Sequence, residues 1–415
     1  MSRKKNANGE GGIRLNSRGQ YEGRYCFGRD EKGRLKRYSV YGKTKKEVSD
    51  KLKVILVDIA KGIYTEPTKL TFVGWLQSWL ENYAMHTIKP ATYTNYNSYI
   101  NRHIKEYFGD AKLQSVTPDS LQKFINSKIN GGRLDGKEGG ISPKTIINIK
   151  NMLHAALDQA VANGHIQKNI TEHIRTPKQS KKEMRVLTDD EFFVLIKEAS
   201  KERDGIPIIL ALYTGMRIGE TMALKQNDIV LGKKPAIHIR SSIRRDYLNS
   251  PRDKDDEVYR FSEDSKTALI RGSTKTYTSR REIPLILEAV ELIKKQIAFI
   301  EKDKELAGIA YMPYNFLFCN ALGFPMDQKT YQDKFNAIVL KAGIAKKIEL
   351  GTSEVSVGFH TLRHTFATRA IMSGMDILVL SKLLGHAQPS TTLNKYGHCL
   401  PDHKRASMEK YRGVI

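Results

Sequence analysis

The 415-residue sequence combines a formal net charge of +24 at pH 7 with 40% hydrophobic residues. That hydrophobic content supports folded cores and excludes a disordered chain, whereas the charge indicates a polyanionic partner, nucleic acid before an anionic membrane. No run approaches about 18 apolar residues, and the N-terminus lacks an apolar signal stretch. We therefore expect no membrane partner and a protein that stays in the compartment where it is made.

The first predicted domain, residues 1–68, is small and basic. Residues 1–70 hold 18 Lys and Arg against 8 Asp and Glu, a net charge of +10. Two strand-like runs, Gln20–Phe27 and Leu35–Gly42, flank a turn-rich segment. Thr44, followed three residues later by a glutamate, then predicts the start of a helix. The sequence therefore predicts a small sheet packed on one helix, with a merely solvated basic surface as the alternative.

The second predicted domain, residues 69–177, has helical patterns throughout. Thr71 precedes an apolar-periodic run that includes both tryptophans, and Pro90 begins a second run. Thr117 and Ser142 each precede a proline, which is typical of an N-cap followed by the first helical position. We expect a compact all-α domain of four helices, with the tryptophans in its core rather than stacked on bases.

The third predicted domain, residues 188–415, follows a basic linker at residues 178–187. The linker is expected to be exposed, either as a simple solvated connection or as a strap across phosphates. Thr188 begins another capping box, and an apolar helix follows it. Strand-like segments near Pro235–Ile243 and Tyr277–Leu285 precede a helical remainder. The domain is thus predicted to be mostly α with a small antiparallel sheet.

The three cysteines do not point to a disulfide framework. Cys26, Cys319 and Cys399 are widely separated, and their spacing does not match a thiolate metal site either. A reducing cytosol fits this usage.

The third domain contains residue types that suit chemistry on a phosphodiester. In chain order they are Arg217, Lys275, His360, Arg363, His386 and Tyr396. A tyrosine is a suitable nucleophile because its phenolate is also a reasonable leaving group, which makes the step reversible. Arginine presents a planar, permanently charged fork to two phosphate oxygens, and lysine or histidine can transfer protons. Glu220 lies three residues after Arg217, so the two can share one helix face.

Taken singly, each position has a plainer interpretation. An isolated arginine or lysine is more often a surface ion-pair partner, and an isolated histidine often caps a helix. Tyr396 is one of 19 tyrosines. His360 and His364, four residues apart, suit a metal, but no third ligand lies at a useful spacing. We therefore expect no metal site.

Together, five stretches closely resemble the phage integrase, or tyrosine recombinase, family. They are TGMRIGE (214–220), KTYTSRREIPL (275–285), HTLRHTFAT (360–368), LLGHA (383–387) and the segment around Tyr396. Their order and spacing also match, and the resemblance covers the whole third domain. The second domain resembles the family's core-site binding domain. The first resembles the arm-site binding domains found in integrases of conjugative transposons and temperate phages of Gram-positive bacteria.

The resemblance implies a role for each basic side chain near the phosphate. The two arginines of the set would clamp the scissile phosphate. Lys275 would protonate the 5′-hydroxyl leaving group, and it is preferred to Lys266 because only Lys275 stands in the family-like context before an Arg-Glu-Ile-Pro run. Glu220 would orient the catalytic side chains without contacting the phosphate itself.

The resemblance also assigns the remaining groups. His360 would shuttle the proton of the tyrosine, and His386 would hydrogen-bond a non-bridging oxygen. Tyr396 would form the 3′-phosphotyrosyl bond. The resemblance further implies that no metal or other cofactor is needed.

The expected function is site-specific DNA recombination, as the integrase and excisionase of a mobile element, through a Holliday junction. The expected partners are double-stranded DNA at core-type and arm-type sites, a homotetramer on synapsed DNA, and an excisionase or a host DNA-bending protein. Such a protein would work in the bacterial cytoplasm, at the nucleoid. Two alternatives remain open: a type IB-like topoisomerase, which shares the chemistry, and a non-catalytic architectural DNA-binding protein.

Overall fold

The computed structural model describes most of the chain, and the chain divides into two compact units, Met1–Ser180 and Lys181–Ile415. The described residues are 12–29, 32–61, 64–133, 138–178, 184–248, 256–273, 279–344 and 357–397, with 409, 411 and 412. Within these ranges, no helix combines the length and the apolar character that crossing a membrane requires. The predicted boundary at residue 68 falls inside the first unit and stays a prediction.

A three-stranded antiparallel sheet and one helix begin the first unit. These elements are β1 (Ile13–Leu15), β2 (Tyr21–Arg29), β3 (Leu35–Gly42) and α1 (Lys45–Ala60). β2 lies between the predicted neighbour β3 and β1, a strand that the sequence does not predict. Thr44 caps α1, because its hydroxyl accepts a hydrogen bond from the backbone N–H of Glu47 at 3.2 Å. The helix packs so closely on the sheet that a Cβ on Gly23 would lie 2.6 Å from Val48 Cγ1.

The rest of the first unit is helical. Its helices are α2 (Phe72–Trp79), α3 (Pro90–Tyr99), α4 (Lys105–Phe108), α5 (Pro118–Asn130) and α6 (Pro143–Ala162). Single π-helical turns extend α2 to Ala84 and join α3 to α4. The predicted caps Thr117 and Ser142, and Thr71 before α2, each accept a hydrogen bond from the backbone N–H three residues ahead. Both tryptophans are buried, and Trp75 Nε1 donates to the Ala156 carbonyl at 2.9 Å, which confirms a core role.

The second unit is mostly helical. Its helices are α7 (Asp189–Ala199), α8 (Ile206–Thr214), α9 (Ile218–Met222), α10 (Leu287–Ala307), α11 (Gln328–Lys341), α12 (Phe359–Met372), α13 (Ile377–Leu384) and α14 (Pro389–Tyr396). The capping box predicted at Thr188 is present in both directions. Apolar α8 is buried along nearly its whole length and packs on α12, α10 and α7.

In the described part of the second unit, the strands form two small antiparallel sheets, whereas the sequence predicts one. Their strands are β4 (Ile229–Val230), β5 (Ala236–Ile239), β6 (Ser241–Tyr247), β7 (Glu257–Tyr259), β8 (Thr267–Ser273) and β9 (Arg281–Pro284). The orders are β4-β5-β9 and β6-β8-β7. The predicted strand at Pro235–Ile243 is therefore two strands, which separate at Arg240 and join different sheets.

The end of the predicted linker packs inside the second unit instead of remaining exposed. Leu187 is buried, and its backbone N–H donates to Thr365 Oγ1 on α12 at 3.0 Å. Arg185 pairs with Glu191 in the first turn of α7. The earlier linker positions 179–183 lie outside the described residues. Of the cysteines, Cys26 and Cys319 are free thiols, and Cys399 lies outside the described residues.

Candidate active site

A left-handed glycine positions the first arginine. Gly215 ends α8 with φ of +65°, and the chain turns so that Arg217 immediately precedes α9. A Cβ on Gly215 would lie 2.4 Å from Phe366 Cδ1, so the turn needs glycine for both its conformation and its packing. The Arg217 side chain stays partly exposed, and its Nη1 lies 2.5 Å from Glu220 Oε1.

Glu220 is a buried carboxylate shared by two arginines. Besides Arg217, it accepts hydrogen bonds from Arg281 Nη2 at 2.8 Å and Nη1 at 3.2 Å. Burial alone would raise the pKa of this carboxyl, but the hydrogen bonds and charge of Arg281, with the charge of Arg217, lower the pKa to about 2. Glu220 is therefore ionised at neutral pH and holds both guanidinium groups in place.

The second arginine, Arg363, is buried on α12 and bonded to two carbonyl oxygens. Its Nη1 donates to Gly215 O at 2.8 Å, and its Nη2 donates to Leu384 O at 2.6 Å. Burial, with the nearby charge of Arg217, lowers the pKa of Arg363 to about 9, so the group remains charged at pH 7. A buried charge is tolerated only with such partners. Arg363 thus ties the ends of α8 and α13 to α12.

His386 completes this group from the end of α13. Gly385 ends that helix with φ of +65°, and the next residue, His386, turns its Nε2 to within 3.1 Å of Arg363 Nη2. Its Nδ1 lies 2.7 Å from Thr392 Oγ1. Burial, followed by the charges of Arg363 and Arg217, lowers the pKa of His386 to about 4. Because a guanidinium only donates, the neutral ring accepts at Nε2 and carries its proton on Nδ1.

Tyr396 ends α14 with its side chain almost fully buried, at 1% exposure. Its hydroxyl lies 2.7 Å from Nδ1 of His364, one turn after the predicted proton shuttle His360 on α12. His360 packs against His364: the rings of the two histidines meet edge to face, with 4.7 Å between their centroids. Burial, followed by neighbouring positive groups, lowers the pKa of both rings to about 4.

Lys275 lies outside the described residues, but the strand that leads to it is well anchored. β8 ends two residues before it, and Arg271 in β8 donates from Nε to Ala223 O, next to α9, at 2.9 Å. Arg271 Nη1 also pairs with Glu257 of β7 at 2.8 Å. The rejected alternative, Lys266, is exposed and precedes the first residue of β8, at the far end of the strand.

The structure thus brings together five of the six predicted catalytic-type residues and Glu220 around the ends of α8, α12, α13 and α14. Among the described residues, no cluster of three or more His, Cys, Asp or Glu is arranged to hold a metal ion. The sequence profile of the phage integrase family matches residues 185–403, just over half of the chain. The chain belongs to the phage integrase family.

A second profile, that of the N-terminal SAM-like domain of phage integrases, matches residues 71–129. Membership confirms the prediction of a tyrosine recombinase, a DNA strand-transfer enzyme, and does not favour the topoisomerase or the architectural protein. The roles of individual residues stay predictions.

Curated relatives include integrases and transposases of mobile elements. A XerC-like tyrosine recombinase of Caldanaerobacter subterraneus is 28% identical over 95% of this chain and 96% of its own length. The transposase of transposon Tn916 from Enterococcus faecalis is 25% identical over 74% of this chain and 69% of its own.

Solved structures share the fold. The Tn1549 transposon integrase in complex with a circular intermediate DNA has a TM-score of 0.63 at 21% identity, covering 82% of this chain and 99% of that one. A lambda integrase tetramer bound to a Holliday junction has a TM-score of 0.53 at 20% identity, covering 93% of this chain and 95% of that one. At such identities the likeness establishes the fold of this recombinase.

Two residues of the site were not assigned to it from the sequence. The sequence indicates His364 only as a possible metal ligand, although its place one turn after His360 is a signal that the two histidines share one helix face. Arg281 was part of a matching stretch, but nothing local indicates that it reaches Glu220, 61 positions earlier. The contacts of these two residues with Tyr396 and Glu220 can be recognised only when the positions of α14 and β9 in the fold are known.

Proposed function

We propose that this recombinase is the integrase and excisionase of a mobile element, which cuts DNA by forming a 3′-phosphotyrosyl bond to Tyr396 and exchanges strands through a Holliday junction. The observation that carries the proposal is that a hydrogen-bonded tyrosine hydroxyl lies near a buried arginine that is charged at pH 7. A nucleophile beside fixed positive charge is what phosphoryl transfer through a covalent intermediate requires.

The two arginines would hold the scissile phosphate. Hydrogen bonds to Gly215 O, Leu384 O and His386 engage three of the five N–H groups of Arg363 and leave the others for phosphate oxygens. Arg217 is partly exposed and is held by Glu220, so it can supply the second fork. Since the charges of Arg217 and Arg363 repel each other, a phosphate between them would relieve that repulsion.

Two further groups would serve the leaving oxygen and the phosphate. Lys275 would protonate the 5′ oxygen, because it follows β8 by two residues and Arg271 holds that strand next to α9, the helix that Arg217 precedes. His386 accepts from Arg363 in this structure. The negative phosphate would raise the pKa of the ring, and a protonated His386 could then donate to a non-bridging oxygen.

The first unit would bind the two kinds of DNA site. The helical part within residues 69–177, which we interpret as four helices because a π-helical turn joins α3 to α4, would bind core-type sites. The basic sheet and helix within residues 1–68 would bind arm-type sites. Phosphate contacts by the chain's excess of Lys and Arg would supply much of the affinity. We further propose a homotetramer on synapsed DNA, an excisionase or host DNA-bending protein as accessory partner, and action at the nucleoid in the bacterial cytoplasm.

Sequencing of covalently attached DNA tests the proposal. The full-length protein is produced in cells that carry the element, denatured, and freed of non-covalent DNA before its bound DNA is sequenced. We expect one dominant strand end, attached through its 3′ phosphate and released only by protease. Attachment through 5′ ends, or no attached DNA, would contradict the proposal. The dominant end also defines the core site for the experiments below.

A further inference from the structure

The hydroxyl of Tyr396 is held by a histidine whose place on its helix is fixed. α12 carries the buried Arg363, which is bonded to the ends of α8 and α13, and His364 is the next residue. The tyrosine ring packs among apolar side chains of α12 and α13, including Ala367 and Leu384. The 2.7 Å contact between His364 Nδ1 and the Tyr396 hydroxyl is therefore set by packing on both sides.

The protonation state of His364 suits acceptance of a proton. Burial, followed by the neighbouring His360, Lys395 and Arg363, lowers the pKa of the ring to about 4, so it is neutral at pH 7. Tyr396 of α14 faces the same ring. A neutral imidazole with its proton on Nε2 offers a lone pair at Nδ1, the atom beside the hydroxyl. A bound phosphate would offset the charge of Arg363 and raise the pKa of the ring.

We propose that His364 is the general base for Tyr396, and that His360 is a positioning residue that packs against the His364 ring. The inference rests on the function proposed above. As the Tyr396 oxygen bonds to phosphorus, the bond from phosphorus to the 5′ oxygen breaks. The phenolic proton passes to His364 Nδ1, and the 5′ oxygen takes a proton from a separate acid, Lys275. When the 5′-hydroxyl attacks phosphorus in the rejoining step, its proton returns to Lys275, the bond from phosphorus to the Tyr396 oxygen breaks, and His364 returns the phenolic proton to the departing tyrosine.

Three variants of the full-length protein separate proton acceptance from hydrogen bonding. H364A removes the group, whereas H364N keeps a hydrogen-bond acceptor near the place of Nδ1 but cannot take up a proton at neutral pH. H360N is the matched variant one turn earlier on the same helix. Each is first compared with the parent in melting temperature and in gel-shift binding to the core site. H364Q replaces any His364 variant that fails to fold.

The rate of covalent complex formation is then measured on nicked suicide substrates with a normal or a sulfur-substituted 5′ bridging atom. We expect H364A and H364N to cleave about 10²- to 10⁴-fold more slowly than the parent. Sulfur should not rescue them, because a better leaving group does not replace a base on the nucleophile. The loss in H360N should be smaller, since it keeps the base.

The outcomes separate this inference from the function on which it rests. A parent protein that forms no adduct on either substrate contradicts the proposed function and, with it, this role. A parent that forms the adduct while H364N keeps its rate, or while H360N is the more impaired variant, overturns the role of His364 alone. Rescue of H364N by sulfur would also overturn it, because the defect would then lie at the leaving group.

Discussion

Arg281 donates two hydrogen bonds to the carboxylate of Glu220, at 2.8 Å and 3.2 Å, and both side chains are nearly inaccessible to solvent. Arg281 Nε also donates to the carbonyl of Leu383, at 2.5 Å, close to the end of α13. The pair therefore joins β9, α9 and α13 behind Arg217 and His386. We interpret it as the support that keeps the phosphate-binding groups in register before DNA binds.

Removing the charge of Glu220 should weaken that support. E220Q leaves the buried Arg281 without its counter-charge, and breaking one partner of a buried pair costs about 3–5 kcal/mol. Because both tryptophans lie in the first unit, tryptophan fluorescence has no probe within the second unit. Hydrogen exchange of peptides from α9 and β9 is the suitable measurement. Unchanged exchange in E220Q would contradict a supporting role.

The same pair predicts a pH dependence with a defined sign. The folded-state pKa of Glu220 is lowered to about 2 from an ordinary value of 4.5. Its contribution to stability is therefore full above pH 4.5 and is lost as pH falls toward 2. The difference in exchange between parent and E220Q should shrink over that window. A difference that stays constant or grows would be inconsistent with an ionised Glu220.

Arg363 should not be replaceable by lysine. A lysine ammonium cannot present the planar fork that reaches Gly215 O, Leu384 O and His386 together. R363K should bind core DNA but form the covalent complex about 10²- to 10³-fold more slowly. The matched control is R369K on the same helix, where Arg369 is partly exposed and pairs with Asp189. Equal rates of covalent complex formation in the two variants would contradict the proposal that Arg363 holds the phosphate.

Lys275 should be dispensable when the leaving group needs no proton. K275A should cleave normal DNA slowly and regain most of its rate on the 5′ bridging sulfur substrate, because a thiolate leaves unaided. K266A is the control, since Lys266 lies before β8 and is exposed. Equal defects of K275A on both substrates would instead assign this lysine to phosphate binding.

The basic sheet of the first unit should bind a second DNA sequence. Arg24 and Arg37 are exposed on the neighbouring strands β2 and β3. The double variant R24A/R37A should lose footprint protection of the arm-type sequence but keep that of the core site. The slope of log K against log salt for arm binding should fall by about 0.9 for each phosphate that the variant no longer neutralises. K53A, on the exposed side of α1, is the control. An equal loss of footprint protection at both sequences would contradict the proposal that separate parts of the chain bind the arm-type and core-type sites.

Local features were predictable because their causes are local. The hydroxyls of Thr44, Thr117 and Thr188 each satisfy a backbone N–H three residues ahead, so the sequence alone indicates where those helices begin. The pairing of the strands was not predictable from the sequence. β5 and β6 are separated by one residue but pair with β9 and β8, and only the distant partners reveal the break.

The active site likewise combines contacts that local spacing predicts with contacts that depend on distant parts of the chain. Helical spacing predicts that Arg217 can meet Glu220, and the structure has them paired. Which histidine meets Tyr396 depends on how α14 packs against α12, 32 positions away in sequence. A resemblance to a family transfers roles to matching positions, but it does not give the contacts among them.

The central claim is that Tyr396 becomes covalently bonded to DNA. Y396F removes one oxygen from a packed ring, so folding and core-site binding should persist. The most direct measurement is denaturing electrophoresis of the parent and Y396F proteins after incubation with a nicked suicide substrate labelled on the cleaved strand. We predict a protein–DNA adduct with the parent and none with Y396F. An adduct that persists in Y396F, at equal DNA binding, would contradict the account.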